Sequence, residues 1–221
     1  MTKVIAFDLD DTLWDSEPTL KHAETALFEW CCAKHPEFSQ RHSILSLAQM
    51  RVAMKQPGPM STQITRTRER VLTQAFLDCG ETDSAASRLA QKGMDLFLAK
   101  RQQVHLFKNT LALLQTIEKD FCLISATNGN ANVFRTPIGQ FFKHHFSAEA
   151  IGFAKPDARF FKHIESELSM SRDAFVLIGD SDKYDQEGAR AADWNFIKLA
   201  PKNSGGELNV EQLLAQIGRL P

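Results

Sequence analysis

The stretch Val4-Ile5-Ala6-Phe7-Asp8-Leu9-Asp10-Asp11-Thr12 decides the fold. Its four apolar residues, 4–7, have the length and the unbroken hydrophobic character of a strand that is buried on both faces, as strands of parallel sheets are. Asp8 and Asp10 follow at once, so this strand delivers two carboxylates into the loop beyond its C-terminal end. In open α/β sheets that edge is where ligands bind. The stretch therefore predicts a buried parallel strand and a candidate site together.

The second half of the chain alternates between strand and helix patterns. Apolar, non-alternating runs predict further strands at 121–126, near Phe146, at 175–178 and at 196–199. Helical spacing of apolar residues predicts helices around 111–117, 131–142, 160–168, 188–191 and 210–217. Such alternation favours an α/β fold, a doubly wound and mainly parallel sheet of Rossmann-like type with helices on both faces.

The segment between the first strand and this alternating region has an all-helical pattern. Asp15 or Ser16 can cap a first helix, and the run Pro57-Gly58-Pro59 breaks the chain. Gly80 can end a third helix and Asp83 can cap a fourth. The sequence thus predicts one domain formed by residues 1–15 and 105–221, with a helical domain of residues 16–104 inserted after the first strand.

Composition and charge exclude several classes of partner. The chain has 26 basic and 27 acidic residues among 221, a formal net charge of -1. This balance gives no electrostatic reason to expect binding to nucleic acid or to a membrane surface. No apolar run reaches the roughly 18 residues of a membrane span, and the N-terminal pattern does not resemble a signal peptide. We expect a cytoplasmic protein.

Polar side chains follow four apolar or loop segments, and a parallel sheet would bring all four to one edge. Together they supply several carboxylates, a hydroxyl, an amide and one ammonium, which suits a phosphate monoester site. A carboxylate that attacks a phosphate dianion is repelled by about 4 kcal/mol per unit pair at ~4 Å and an effective dielectric of ~20. A divalent cation held by Asp8 and Asp180 would offset this, and Mg²⁺ prefers such oxygen ligands. The four groups are Asp8/Asp10/Thr12, Ser125/Thr127/Asn128, Lys155-Pro156-Asp157 and Gly179-Asp180 through Asp185.

In this order the four groups resemble the motifs of the haloacid dehalogenase (HAD) superfamily, in its phosphatase branch. The first motif, D-x-D-x-T after a hydrophobic strand, is Asp8-Leu9-Asp10-Asp11-Thr12. The second is similar to Thr127-Asn128-Gly129, and the third is Lys155. The fourth, G-D-x-x-x-x-D, is Gly179-Asp180 with Asp185 at the matching distance. The helical insertion resembles the small C1 cap of the family in position and type.

The resemblance implies a role for each matching residue. Asp8 would be the nucleophile that forms an aspartyl-phosphate, and Asp10 the general acid and then the general base. Mg²⁺ would be bound by the Asp8 carboxylate, the Asp10 backbone carbonyl and Asp180. The phosphate would be held by Thr127, Asn128 and Lys155, with Asp185 orienting Lys155.

Shorter segments carry a sharper expectation about the substrate. Residues 8–15, 34–38 and 126–131 resemble bacterial HAD phosphatases that act on FMN and on 5-amino-6-(5-phosphoribitylamino)uracil, a riboflavin precursor. The resemblance implies a small phosphorylated metabolite as partner. Another HAD activity, as a dehalogenase or a phosphomutase, and a non-catalytic HAD-like binding protein are the alternatives. Dehalogenases resemble this family with the second Asp of the first motif replaced, whereas Asp10 is present here.

Several residues keep two interpretations at this stage. Ser125 and Thr127 point to the same face of one strand, and only the family pattern favours Thr127. Trp14 could stack on a flat substrate or pack against the helical cap. Asp182 could face solvent or the metal. Asp11 is expected in a turn, and His144-His145 at an exposed helix end.

Overall fold

The structure, a computed structural model, describes residues 3–55 and 62–220. The chain divides into two compact units: unit 1 is Met1–Ser16 with Val104–Pro221, and unit 2 is Glu17–Gln103. The chain break expected at 57–59 lies outside the described residues. Within those residues, no helix combines the length and the apolar character that crossing a bilayer would require.

Unit 1 is built on a parallel sheet, as the alternating pattern predicts. Five strands lie in the order β5-β4-β1-β6-β7, and every neighbouring pair is parallel. Among the described residues, two further strands, β2 and β3, form a separate antiparallel pair. The strands are β1 (Val4–Phe7), β2 (Trp14–Asp15), β3 (His105–Leu106), β4 (Cys122–Thr127), β5 (His144–Ser147), β6 (Phe175–Gly179) and β7 (Asn195–Lys198).

Strand β1 lies in the centre of this sheet, and its residues alternate between two apolar cores. Ile5 and Phe7 are completely buried in a cluster on one face, whereas Val4 and Ala6 are buried in a second cluster on the other face. Burying a large apolar side chain contributes roughly 1.5–3 kcal/mol, so both faces stabilise the sheet. This double burial explains why the run lacks polar alternation.

Helices surround the sheet of unit 1. The helix α8 starts at its N-cap Asp157, whose side chain accepts a hydrogen bond from the Arg159 N–H, and it buries Phe160, Phe161 and Ile164. The helices of this unit are α6 (Thr110–Ile117), α7 (Ala148–Ile151), α8 (Ala158–Leu168), α9 (Glu187–Ala191) and α10 (Val210–Ile217). The short helix α7 was not predicted from the sequence.

The prediction of a helix over residues 131–142 is wrong. The structure has two short 3₁₀ turns there, Val133–Arg135 and Gly139–Phe141. Thr136 between them is extended, with φ -106° and ψ 165°. It precedes Pro137, and a residue before proline is driven out of the helical region. Proline also lacks the N–H that would continue the helix.

The assignment of His144-His145 to an exposed helix end is also wrong, because both residues lie on β5. The His145 ring lies against Ser125 of the neighbouring strand, with Nδ1 2.7 Å from the Ser125 hydroxyl oxygen. Burial lowers the pKa of the His145 ring below its usual value. The contact between Ser125 and His145 therefore joins β4 and β5 through their side chains.

Helices are the regular elements of unit 2 among its described residues, and short loops join them. A core of apolar side chains, among them Leu27, Phe38, Phe76 and Phe97, holds its helices together. The helix N-cap expected at Asp83 is in fact Thr82, whose side chain accepts from the Ala85 N–H. The helices are α1 (Ser16–Lys34), α2 (Phe38–Arg41), α3 (Ile44–Ala53), α4 (Ile64–Asp78) and α5 (Asp83–Arg101), of which α2 was not predicted.

Candidate active site

The C-terminal ends of the central strands of unit 1 open into one polar pocket. Phe7 is paired with Ser125 of β4 and with Ile178 of β6, so the loops after β1, β4 and β6 start side by side. The pocket has a volume of about 300 Å³. The residues that line it are Asp8, Asp10, Asp11, Thr127, Asn128, Gly129, Lys155, Asp180, Ser181, Tyr184 and Asp185. The seven site residues expected from the sequence are all among them: Asp8, Asp10, Thr127, Asn128, Lys155, Asp180 and Asp185.

Asp8 and Asp185 share a buried ammonium. Lys155 Nζ donates to Asp8 Oδ1 at 2.8 Å and to Asp185 Oδ1 at 2.5 Å. The side chains of Lys155 and Asp185 are each 1% exposed and that of Asp8 is 12% exposed. Two carboxylates around one ammonium leave one negative charge uncompensated in this buried group. A buried charge without compensation is costly, so the site favours an additional cation or a proton.

The pKa values of Asp8, Asp180 and Lys155 reflect the same excess of negative charge. Burial raises the pKa of Asp8 to about 7, and the nearby Asp185 adds to this, although the attraction of Lys155 opposes it. Burial also raises the pKa of Asp180, with a further contribution from Asp185. Burial disfavours the charge on Lys155, yet its pKa is raised because Asp8 and Asp185 together outweigh that penalty.

Close approach to the backbone explains a glycine at the end of β6. Asp185 Oδ2 accepts a hydrogen bond from the Ser181 N–H at 3.1 Å, which folds this carboxylate back over the strand end. A Cβ atom at Gly179 would overlap that same carboxylate. Only glycine leaves room for the arrangement, so packing alone requires the glycine of the fourth motif.

Three carboxylates are grouped closely enough to bind a metal ion. One oxygen from each of Asp8, Asp180 and Asp185 lies within 4.8 Å of the others. The Thr12 hydroxyl lies between two of them, 3.4 Å from Asp8 Oδ2 and 3.2 Å from Asp180 Oδ1. An all-oxygen set of carboxylates fits Mg²⁺ or a similar hard cation. The sequence expectation used the backbone of Asp10 as third ligand, whereas the side-chain cluster contains Asp185.

Thr127 and Ser125 have different surroundings, although they share a face of β4. Thr127 lines the pocket, and its hydroxyl accepts from the Gly129 N–H at 2.9 Å. Ser125 is completely buried and is bonded to His145 instead. Of these two hydroxyl-bearing residues, Thr127 is the one that lines the pocket.

Asn128 holds the backbone of the residue that carries the ammonium. Its amide nitrogen donates to the Lys155 carbonyl at 2.9 Å, and its amide oxygen accepts from the Lys155 N–H at 2.9 Å. This two-point contact joins residues that are 27 apart in sequence. Spacing along the chain gives no signal for it, which is why sequence analysis assigned Asn128 to the phosphate alone.

The indole of Trp14 is part of the protein interior. Trp14 is 0% exposed and belongs to the apolar cluster that includes Phe7 and Leu113. Its Nε1–H donates to Asp10 Oδ1 at 2.8 Å. A completely buried ring offers no face to a substrate, so the stacking interpretation is wrong; the apolar residues clustered with Trp14 belong to unit 1.

The outer acidic residues of these loops have partners of their own. Asp182 pairs with Lys198 and its side chain is 67% exposed, so it faces solvent. Asp11 has the left-handed φ of 63° that is typical of turns, and its carboxylate accepts from the Ser16 N–H. Tyr184, which sequence analysis did not single out, lines the pocket with 44% of its surface exposed.

The sequence model of the haloacid dehalogenase-like hydrolase family matches residues 2–193. The chain is 27% identical over 200 residues to 5-amino-6-(5-phospho-D-ribitylamino)uracil phosphatase YigB of Escherichia coli K12, spanning 90% of this chain and 84% of YigB. It is 31% identical over 128 residues to the pyrimidine 5'-nucleotidase PynA of Streptococcus pneumoniae R6, spanning 52% of this chain and 54% of PynA.

Among solved structures, a 2-haloacid dehalogenase of Pseudomonas syringae pv. tomato DC3000 is similar over the full length of both chains, with 30% identity and a TM-score of 0.90. The family match covers the whole of β1 through α9, including all four motifs. The chain therefore belongs to the family of haloacid dehalogenase-like hydrolases.

Proposed function

We propose that this hydrolase is a Mg²⁺-dependent phosphomonoesterase that acts through an aspartyl-phosphate on Asp8. The observation that supports this most directly is the Asp8 carboxylate itself, which lies in a pocket with the Lys155 ammonium and forms a close cluster with the carboxylates of Asp180 and Asp185. A nucleophile beside a single cation suits an anionic substrate. The cluster of three carboxylates suits a divalent ion that would accompany a phosphate group.

Charge compensation is the first requirement of this reaction. Like charges at ~4 Å repel by about 4 kcal/mol per unit pair at an effective dielectric of ~20. In our proposal Asp8 and Asp180, with the Asp10 backbone carbonyl, would hold Mg²⁺. When bound, the ion would supply positive charge next to the nucleophile and the phosphate oxygens. Lys155 would supply a second positive charge, held in place by Asp185 and by Asn128.

In the first half-reaction an oxygen of Asp8 attacks phosphorus. A bond between that oxygen and phosphorus forms while the bond between phosphorus and the ester oxygen breaks. The departing alkoxide takes the proton of the Asp10 carboxyl and leaves as an alcohol. Thr127 and Lys155 contact phosphoryl oxygens and stabilise their charge as the geometry at phosphorus changes.

In the second half-reaction Asp10, now a carboxylate, takes a proton from water. The water oxygen forms a bond to phosphorus, and the bond between phosphorus and Asp8 breaks. Inorganic phosphate is released, Asp8 returns as a carboxylate and Asp10 is protonated again. The Asp10 side chain lies in the pocket that contains Asp8, as both of its roles require.

The similarity to a 2-haloacid dehalogenase makes carbon–halogen cleavage the second candidate. A halide is a weak base and leaves without a proton, so that reaction has no use for a general acid beside the nucleophile. Asp10 is placed to serve as this general acid, because it lines the pocket and its carboxylate accepts a hydrogen bond from Trp14. A haloacid also carries less negative charge than a phosphate monoester and needs less compensation. The composition of the pocket thus favours the phosphatase.

For the substrate we propose a phosphate ester of a flat, ring-bearing alcohol, such as FMN or the phosphorylated uracil on which YigB acts. Tyr184 gives the pocket an exposed aromatic side chain next to its phosphate-binding residues. Aromatic rings stack favourably on one another. We further propose that unit 2 is a C1 cap that selects the alcohol part, in keeping with its position directly after the loop that carries Asp8 and Asp10.

The proposal is tested by ranking kcat/KM over FMN, pyrimidine 5'-nucleotides, sugar phosphates, p-nitrophenyl phosphate and 2-chloropropionate. Phosphate release from the esters without halide release is expected, with a flat-ring ester ranked first. The Asp8→Asn variant should lose turnover, whereas Asp182→Asn, the same change on an exposed carboxylate, should keep it. Halide release, or binding of phosphate esters without turnover by the wild type, would disprove the proposed activity.

A further inference from the structure

We propose that Trp14 is a positioning residue for the reaction: its indole N–H orients the Asp10 carboxylate so that one defined oxygen exchanges protons with substrate and water. The inference rests on the proposed phosphatase function and assigns a role to a residue outside the four motif positions. It follows from one hydrogen bond, from the burial of its donor and from the chemistry of an indole.

The donor is fixed from several sides. Trp14 is 0% exposed and lies in the apolar cluster of unit 1. Its strand β2 pairs with β3, where Trp14 lies opposite Leu106. The Trp14 carbonyl accepts from the Asp11 N–H at 2.8 Å, and the loop forms a further β-bridge between Asp10 and Trp14. The ring nitrogen is therefore held against the loop by both packing and backbone bonds.

The hydrogen bond restricts the orientation of its acceptor. Asp10 lies in a loop after β1, and the terminal torsion of an aspartate side chain has broad, weakly defined minima. Trp14 Nε1–H donates to Asp10 Oδ1 at 2.8 Å, which restricts that torsion. A misplacement of about 1 Å in a catalytic group costs on the order of 100-fold in rate.

The indole also distinguishes the two oxygens of Asp10. Indole Nε1–H is a donor and has no acceptor capacity. The oxygen that it contacts, Oδ1, thus serves as acceptor in both the acid and the carboxylate form. The proton that passes to the leaving alcohol and returns from water is then carried by Oδ2.

The chain contains a matched control for this contact. Trp194 Nε1–H donates to Glu165 Oε1 at 2.7 Å, and Trp194 is 5% exposed. Neither residue lines the candidate site. Trp194→Phe thus removes the same kind of bond from the same unit without touching the proposed chemistry.

The test compares two esters that differ in their need for an acid. One is the best alkyl phosphate found in the substrate panel, whose alkoxide requires a proton; the other is 2,4-dinitrophenyl phosphate, whose phenolate leaves without one. Because kcat/KM covers only the steps up to release of the alcohol, it isolates the use of Asp10 as acid. In Trp14→Phe we expect a fall of about 10- to 100-fold for the alkyl ester and less than about threefold for the dinitrophenyl ester.

Trp194→Phe should change neither value by more than about twofold, as expected of a residue without a role in the chemistry. In an Asp10→Asn background, Trp14→Phe should cause no further loss of kcat/KM for the alkyl ester. If Trp14→Phe does not fold, position 14 can carry the benzothiophene analogue of tryptophan, in which sulfur replaces the N–H and the ring shape is kept.

Equal losses for the two esters would mean that Trp14 only supports the fold of the loop, and would overturn the inference. A further loss in the Asp10→Asn background would overturn it in the same way. If the wild type hydrolyses neither ester, the proposed function fails and the inference fails with it. The inference alone fails if the wild type is active and Trp14→Phe lowers kcat/KM equally for the two esters.

Discussion

Replacing Asp8 by asparagine should stabilise the metal-free protein although it abolishes turnover. The pKa of Asp8 is raised from its ordinary value of 3.8 to about 7, mainly by burial. Each pKa unit corresponds to about 1.36 kcal/mol, so ionised Asp8 costs the folded state about 4 kcal/mol. The attraction of Lys155 is already contained in this figure, because it lowers the same pKa.

The cost depends on pH in a defined window. The unfolded chain releases the Asp8 proton near pH 3.8, whereas the folded chain keeps it up to about pH 7. The folded state binds more protons between these values, so its stability falls as the pH rises through the window and levels off above it. Asparagine resembles the protonated acid and does not titrate. Asp8→Asn should match the wild type near pH 4 and exceed it by about 4 kcal/mol at pH 8.

Urea unfolding followed by circular dichroism, at pH 4.5, 6 and 8 in excess chelator, measures this difference. In a parallel series without chelator, free Mg²⁺ at about 100 times its dissociation constant should stabilise the wild type by about 2.7 kcal/mol. The variant should gain less, because one carboxylate of the cluster is lost. An Asp8→Asn protein that is no more stable than the wild type at pH 8 would refute the reasoning. So would a difference that does not change with pH.

Lys155→Met should abolish turnover and destabilise the protein by about 3–5 kcal/mol, because it leaves the carboxylates of Asp8 and Asp185 buried without their partner. The matched change Lys198→Met removes an exposed ion pair and should cost under about 1 kcal/mol in the same unfolding assay; equal costs would argue against a buried charge cluster. Gly179→Ala should reduce both stability and kcat, since its Cβ would displace the Asp185 carboxylate; wild-type kinetics in this variant would contradict the close approach. Chelation should stop hydrolysis of p-nitrophenyl phosphate, and added Mg²⁺ should restore it; full turnover in excess chelator would rule out the metal.

The central sheet and the composition of the site could be predicted because their signals are local. Strands β1, β4 and β6 are apolar runs that end in polar residues, and a parallel arrangement is enough to bring those ends together. Asp8, Lys155 and Asp180 could thus be expected in one pocket before any contact was known.

The contacts that refine the site could not be predicted, since each depends on a partner remote in sequence or on an unrecognised turn. The two bonds between Asn128 and Lys155 cross 27 residues, and the bond between Ser125 and His145 crosses 20. The apolar spacing after β4 resembled a helix, but Pro137 prevented it. Trp14 shows the same limit, because burial of an aromatic ring is decided by the whole cluster around it.

The small ribbon of β2 and β3 ties together the two points at which the chain leaves and re-enters unit 1. Trp14 pairs with Leu106 and Asp15 pairs with His105. All four residues belong to unit 1, so the two chain ends that flank residues 17–103 are held next to each other within that unit. A segment whose two ends are already joined can be exchanged for another of different length at little entropic cost. The segment 17–103 could therefore be replaced by a different helical segment while the loop that carries Asp8 and Asp10 keeps its place in unit 1. If the proposed function holds, such a replacement should change which phosphate esters are hydrolysed.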